Sequence, residues 1–460
     1  MKYLTADFGS TYTKLTAIDS QKEEILGTAS AFTTIGTNVK DGFNVALHKL
    51  EKQIGRFHYD KLLCCSSAAG GLKMVALGLV PELTAKAAKM AASSAGAKVM
   101  KTYSFEISKA EQEEIHAIQP DLVLLCGGTN GGNKEVIIAN AKRLCAIAHN
   151  FSVICAGNKS ASHELDEIFA ASGKNYVITE NVMPEFNQLN IEPAKQKIRE
   201  LFISRIVDAK GLHAVSEMSD NEIIPTPLAV LNACELLSKG TKTTEGWGDL
   251  MTVDIGGATT DVYSMAYGLP TIENSMTKGF PEPFAKRTVE GDLGMRYSLT
   301  SLVEEMDVDA FAEELSVDKE VITNWVASCI ANPDSLAAEN SVEQKIEEGI
   351  ARNAIKIAFE RHCGIFESVY TPFGQMFTLT GKDLTNVKFL IGTGGIIINS
   401  SHPQTMLEGA KAEKNVFNFA KPRNPEFYID KKYILASMGL ISSVEPEAAL
   451  RIMKKEITLA

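Results

Sequence analysis

Asp7-Phe8-Gly9-Ser10-Thr11-Tyr12-Thr13-Lys14 closes one apolar run and opens another. At 254 − 7 = 247 positions further on, Asp254-Ile255-Gly256-Gly257-Ala258-Thr259-Thr260-Asp261 does the same. Each reads as strand, glycine turn, strand, with an aspartate at the carboxyl end of the first strand. Glycine lets a backbone approach a phosphate closely, so that consecutive N–H groups can point at its oxygens. The hydroxyls of Ser10, Thr11, Thr259 and Thr260 can donate to the same oxygens, and Lys14 can contact them as a cation. Asp7 and Asp254 are of the type that holds Mg²⁺ or its waters beside clustered phosphate charge, and Asp261 can orient water there. A single copy reads equally well as a tight hairpin. Two copies in the same setting argue for one shared use.

A third glycine turn follows an apolar strand at Phe389-Leu390-Ile391-Gly392-Thr393-Gly394-Gly395-Ile396. It is not a dinucleotide fingerprint, because Ile397 stands where G-x-G-x-x-G needs its third glycine. Gly392, Thr393, Gly394 and Gly395 instead suit a flat adenine or ribose lying against backbone. Cys126-Gly127-Gly128-Thr129-Asn130-Gly131-Gly132-Asn133 nearly spells a phosphate loop, but Asn133 stands where its lysine belongs. That segment, Ser66–Gly71 and the acidic turn Glu290–Arg296 are each read as structural or ligand-facing loops.

Outward from these turns, residues 2–8, 13–19 and 25–33 read as strands, followed by a helix near 41–55 and a strand at 61–66. Strands and helices alternate between about 80 and 180, which predicts a parallel sheet covered on both faces. Helices are expected at 192–209 and 226–239. A second strand cluster is expected at 250–255, 260–266 and 271–276. Helices at 298–306, 308–314, 318–330 and 341–363 follow, then a strand at 387–392 and helices near 402–411 and 434–444. The resulting division is a first lobe at 1–79 and 181–246, an insertion at 80–180 and a second lobe at 247–460.

The 460 residues are 45% hydrophobic and 22% charged, with a formal charge of −11. That balance argues against a nucleic-acid or anionic-membrane partner. The opening MKYLTADFG lacks the basic and long apolar regions of a signal peptide. None of the eight cysteines falls in a CxxC pair, and several sit in apolar runs, so a reducing, cytoplasmic setting is expected.

In this order and spacing, the two aspartate turns and the 389–396 turn resemble the two phosphate motifs and the adenosine motif of the actin, sugar-kinase and heat-shock-chaperone superfamily. Ile224–Ala233 and Tyr433–Leu440 resemble its two connecting helices. A closer resemblance is to the MutL-type accessory proteins of adenosylcobalamin-dependent glutamate mutase and related aminomutases, unrelated to the mismatch-repair protein of that name. It rests on DFGSTYTK, CSSAAGGLKM, LLCGGTNGG, IPTPLAVL, DIGGATTDVYS, VEGDLGMR and TGKDLTNVKFLIGTGG. The resemblance implies an α/β fold of duplicated actin-like (ribonuclease H-like) lobes, with 80–180 as an inserted flavodoxin-like domain. It implies ATP and Mg²⁺ as ligands, bound between the lobes, and a chaperone or reactivating role toward a cobalamin-dependent mutase. A homodimer is compatible with it.

One departure bears on chemistry. Superfamily members carry a Glu or Gln near the first connecting helix to orient the attacking water, whereas Thr226 and Leu228 stand at the comparable positions here. Slow hydrolysis is therefore expected. Three other readings stay open at this level: a small-molecule kinase, an iron–sulfur activator of dehydratases using Cys126 or Cys155, and a filament-forming homologue.

Overall fold

The computed structural model describes all residues except 10–11, 34–38, 68–72, 96, 210–215, 280, 334, 336, 373 and 414–417. The chain forms two compact units. One comprises Met1–Asn232 with Gly439–Glu445, and the other Ala233–Met438 with Pro446–Ala460.

The strands of the first unit are β1 (Lys2–Phe8), β2 (Tyr12–Asp19), β3 (Glu24–Phe32), β4 (Lys61–Ser66), β5 (Lys73–Gly78), β6 (Lys98–Ser104), β7 (Leu122–Leu125), β8 (Ser152–Cys155), β9 (Tyr176–Ile178) and β10 (Ile224–Pro225). Those of the second are β11 (Leu250–Ile255), β12 (Thr260–Met265), β13 (Ser275–Lys278), β14 (Ala285–Glu290), β15 (Ile365–Thr371), β16 (Gly374–Thr380), β17 (Phe389–Thr393), β18 (Glu426–Ile429) and β19 (Thr458–Leu459).

The first unit's main sheet runs β3-β2-β1-β4-β10, and the second's runs β14-β12-β11-β17-β18 with β19 added at the edge. In each, an antiparallel three-strand meander is extended by two strands parallel to the first. Even the register repeats: Asp7 lies opposite Lys14, and Asp254 opposite Asp261. This internal repetition is the duplicated actin-like α/β fold that the sequence anticipates. Local reasons are plain in the first copy. Six of the seven β1 residues are buried, and the helix Val39–Ile54 covers the sheet by setting Phe43 against Phe8, with ring centroids 6.2 Å apart.

In the second unit the helix Val342–His362 carries Ile346, Ile350, Ala354, Ala358 and Phe359 at helical spacing, all buried in the core beneath β11 and β12. The segment Gly381–Lys388 does structural work. The buried Asp383 accepts from Thr271 N (2.8 Å), Thr271 Oγ1 (2.6 Å) and Thr385 Oγ1 (2.6 Å). Lys382, 1% exposed, donates to the Phe284 carbonyl at 2.7 Å.

A second sheet of the first unit is all parallel, in the order β6-β5-β7-β8-β9. β7 and β8 are buried along their whole length, as strands covered on both faces must be. Its first strand in the chain, β5, was not among the expected elements. It begins at Lys73, inside the GGLKM run, and it pairs with both β6 and β7. Other differences concern polar strands. The strand expected at 271–276 is confined to Ser275–Lys278, because Thr271 is engaged as a partner of Asp383. β14, β15, β16 and β18 carry charged or exposed residues in place of a clean apolar alternation, and the sequence reading passed them by. No helix among the described residues is long and apolar enough to cross a membrane.

Candidate functional site

In the first unit, β1 ends beside the turn to β2. Gly9 N donates to Tyr12 O at 3.0 Å, and a Cβ on Gly9 would lie 2.6 Å from that same oxygen, so only glycine closes the turn. Asp7 is 7% exposed and central in the sheet, flanked by Lys14 on β2 and Cys65 on β4. Its Oδ1 accepts from Thr226 Oγ1 at 2.5 Å and from Cys65 Sγ at 3.6 Å. Burial pushes the Asp7 carboxyl above its ordinary value, while the Lys14 ammonium and these two hydrogen bonds pull it back. Ser10 and Thr11 lie outside the described residues.

The second unit repeats the device. Gly256 N donates to Thr259 O at 2.9 Å, the same bond 247 positions on. Here the Glu290–Arg296 segment shows its purpose. Met295 N donates to Gly256 O (3.1 Å), Arg296 N and Tyr297 N donate to Gly257 O (2.8 Å each), and Ser298 Oγ donates to Ala258 O (2.8 Å). Three successive carbonyls of the turn are thus tied to one side. In a trans peptide the N–H of the next residue points opposite to the carbonyl. The N–H groups of Gly257, Ala258 and Thr259 therefore face away from the buttress, the arrangement that receives an anion. Arg296 in turn is anchored by Glu347 at 2.5 Å and by the Pro333 carbonyl at 3.0 Å. In the sequence this segment reads as a structural or ligand-facing loop; its role as a buttress comes from backbone partners far along the chain that no local pattern shows.

Two side chains of the turn are occupied differently from their sequence expectation. The Thr260 hydroxyl is buried and donates to Leu293 O at 2.6 Å, so it is a tie to the buttress and not a phosphate donor. Asp261 is held by Arg287, with Nε at 2.8 Å and Nη2 at 2.6 Å from Oδ1, and also accepts from Thr259 Oγ1 at 3.2 Å. A buried carboxylate paired in this way is a fixed element of the wall. Neither partner was foreseeable, since Arg287 comes from a strand that the sequence hides.

Asp254 accepts from Tyr433 OH at 3.0 Å. Beside it runs the third turn. Gly394 adopts φ 102°, and a Cβ there would stand 2.2 Å from Ile255 O and 2.9 Å from Asp254 Oδ1. Gly392 is buried and needed for packing, since a Cβ would meet Leu407 at 2.8 Å, whereas Gly395 is exposed with nothing near its Cβ position. The Thr393 hydroxyl is buried without a hydrogen-bond partner among the described residues. Within the second unit, the strand-end carboxylate of Asp254, a turn with N–H groups turned outward and a glycine-lined backbone form a donor set of the kind Mg²⁺ and phosphate require.

The glycine loop after β7 is different. Asn158 Nδ2 donates to Gly132 O (2.9 Å), Asn181 Nδ2 to Gly128 O (2.9 Å), and Gly131 N to Asn158 Oδ1 (3.0 Å). Gly132 N closes on Thr129 O at 2.9 Å. Its polar groups serve the loop itself, in line with a structural turn. Cys126 and Cys155 are each 1% exposed, and burial raises the pKa of both thiols, which suits small hydrophobes and not cluster ligands.

Among solved structures, the xylulose kinase of Bifidobacterium adolescentis overlays 100% of this chain and 95% of its own with a TM-score of 0.32 at 10% identity. The activator of the 2-hydroxyisocaproyl-CoA dehydratase from Clostridium difficile, with bound ADPNP, gives 0.30 at 11% identity, covering 100% and 99%. Overlays this loose bear no weight beside the strand order and register. Sequence is more telling. "Protein MutL" of Clostridium tetanomorphum is 48% identical over 458 residues, 98% of this chain and 98% of that protein. The family model described as MutL protein matches residues 3–457, and with that match the chain belongs to the MutL protein family.

Proposed function

We propose that this chain binds ATP as its Mg²⁺ complex and hydrolyses it slowly, as a chaperone or reactivating factor for an adenosylcobalamin-dependent mutase such as glutamate mutase. The observation that carries the reading is the duplicated turn, with the same Gly N–H to carbonyl bond and the same aspartate position in both units. The outward N–H groups of Gly257, Ala258 and Thr259 would receive phosphate oxygens. The Gly9 turn, with Lys14, would do so in its own unit. Asp7 and Asp254 would each offer, in its own unit, a carboxylate to Mg²⁺ or its waters, and Gly394 and Gly395 would lie against the adenosine. When bound, Mg²⁺ neutralises charge on the phosphates. Asp261, paired with Arg287, would keep the wall of the turn in place.

Neither Thr226 nor Leu228, at the comparable positions of the first connecting helix, can act as a base toward water. Thr226 Oγ1 donates a hydrogen bond to Asp7 Oδ1, and Leu228 is buried. Intrinsic turnover is therefore expected at about 10⁻² s⁻¹ or below, the scale of related NTPases before a partner completes the transition-state contacts. Phosphate release by the purified protein measures it, and many turnovers per second would mean a competent base has been overlooked.

The parallel sheet of β5–β9 is read as the flavodoxin-like insertion that meets the mutase or its cobalamin subunit. Such sheets present ligands and partners at the carboxyl ends of their strands. At that end Phe105 follows β6 and Phe186 follows β9, and they are 58% and 69% exposed. Phe186→Glu is expected to leave Mg²⁺-ATP binding unchanged and to reduce ATP-dependent reactivation of an inactivated mutase at least tenfold. Full reactivation by the variant would remove this surface from the account.

A further inference from the structure

Asp7 and Asp254 share a second feature beyond their place in the repeat. Each accepts a hydrogen bond from a hydroxyl that the chain delivers just after the fifth strand of its sheet. In the first unit, β10 pairs with β4 through Ile224 opposite Cys65 and Pro225 opposite Ser66. The next residue, Thr226, opens the helix Thr226–Lys239 and puts Oγ1 2.5 Å from Asp7 Oδ1. In the second unit, β18 pairs with β17 and leads to Asp430, which is 1% exposed. Its two carboxylate oxygens accept from Ile434 N at 2.8 Å and Leu435 N at 3.0 Å. That double cap fixes the start of the helix Leu435–Ile441 and, with it, Tyr433, whose φ of 56° is unusual for a residue with a side chain. Tyr433 OH then reaches Asp254 Oδ2 at 3.0 Å.

The two hydroxyls are chemically unlike, and the local sequences Pro225-Thr226-Pro227 and Lys432-Tyr433-Ile434 share nothing. The same contact has thus been built twice by different means, which a mere filling of space does not explain. A physical need does. Rotation of a carboxylate about its last bond is broad, because that torsion joins sp³ and sp² carbons, so an aspartate's place on a strand does not fix the plane of its oxygens. A short hydrogen bond from a rigid hydroxyl does fix it, and bonds to ionised acceptors are among the strong ones.

We infer that Thr226 and Tyr433 are positioning residues, each fixing the plane of the strand-end carboxylate in its own unit for contact with Mg²⁺ or its waters. The inference rests on the Mg²⁺-ATP reading above. It also gives Thr226 a use at the position where the superfamily resemblance leads one to look for a base.

The test is calorimetric titration of ATP into the full-length protein over a series of Mg²⁺ concentrations and in EDTA, for the unaltered chain and for Thr226→Val, Thr226→Ser and Tyr433→Phe. Outer contacts that orient metal ligands are typically worth about 10–100-fold in metal affinity. Thr226→Val and Tyr433→Phe should each raise the Mg²⁺ concentration for half-maximal binding by about tenfold, with ATP affinity in EDTA within about twofold of the parent. Thr226→Ser, which keeps the hydroxyl, should return the Mg²⁺ requirement to the parent value. A role in packing alone would shift binding with and without Mg²⁺ together, and that result overturns the inference. So does an unchanged Mg²⁺ requirement in both hydroxyl-deleted variants. Should Thr226→Val fail to fold, Tyr433→Phe decides in the same way, since it removes a single oxygen. An unaltered chain that binds ATP equally with and without Mg²⁺, or not at all, would bring down the nucleotide reading itself.

Discussion

Asp254→Asn is expected to weaken Mg²⁺-ATP binding by about a hundredfold or more while leaving ATP binding in EDTA nearly unchanged. The substitution is isosteric and keeps an oxygen able to accept from Tyr433 OH, so the turn should hold its shape. What is lost is the negative charge that a hard cation or its waters would meet. Calorimetry with and without the metal separates the two effects. Equal losses in both conditions would mean that Asp254 supports the fold of the turn and has no part in metal binding.

The second large effect is expected from Gly394→Ala. Its Cβ would stand 2.2 Å from Ile255 O and 2.8 Å from Ile255 N, both backbone atoms of a central strand that cannot move aside. The φ of 102° adds strain that any side chain would bear. A destabilisation of about 3 kcal/mol or more is expected, lowering the melting temperature of the unit by about 6–12 °C. Gly395→Ala is the control. It has no atom within 4 Å of its Cβ position, so stability should stay within about 0.5 kcal/mol. If Gly395 lies against the adenosine, that variant should still lose ATP affinity. Thermal scans distinguish the pair, and equal melting temperatures for the two variants would contradict the packing argument.

The sequence made legible what is encoded locally. A tight turn that only glycine can close, with an aspartate two residues before it, carries its own signature and recurs 247 positions on, while the duplicated lobes around it are what the superfamily resemblance implies. The long helix Val342–His362 was equally plain, because its apolar residues recur at helical spacing up to a serine cap at Ser341. What escaped was set by distant partners. Arg287 stands on a strand that the sequence does not show, so its pairing with Asp261 is invisible there, and Thr260 reads as a phosphate donor although its hydroxyl donates to Leu293 O. The Glu290–Arg296 segment reads as a charged loop, yet its backbone N–H groups hold the Gly256–Thr259 turn in shape. Tyr433 lies 179 positions from the aspartate it contacts, and no local pattern marks it.

Titration of ATP into the unaltered chain, once with Mg²⁺ and once in EDTA, tests the central claim most directly. The account predicts a single saturable site that requires the metal. Equal binding in EDTA, or no binding in either condition, would contradict it.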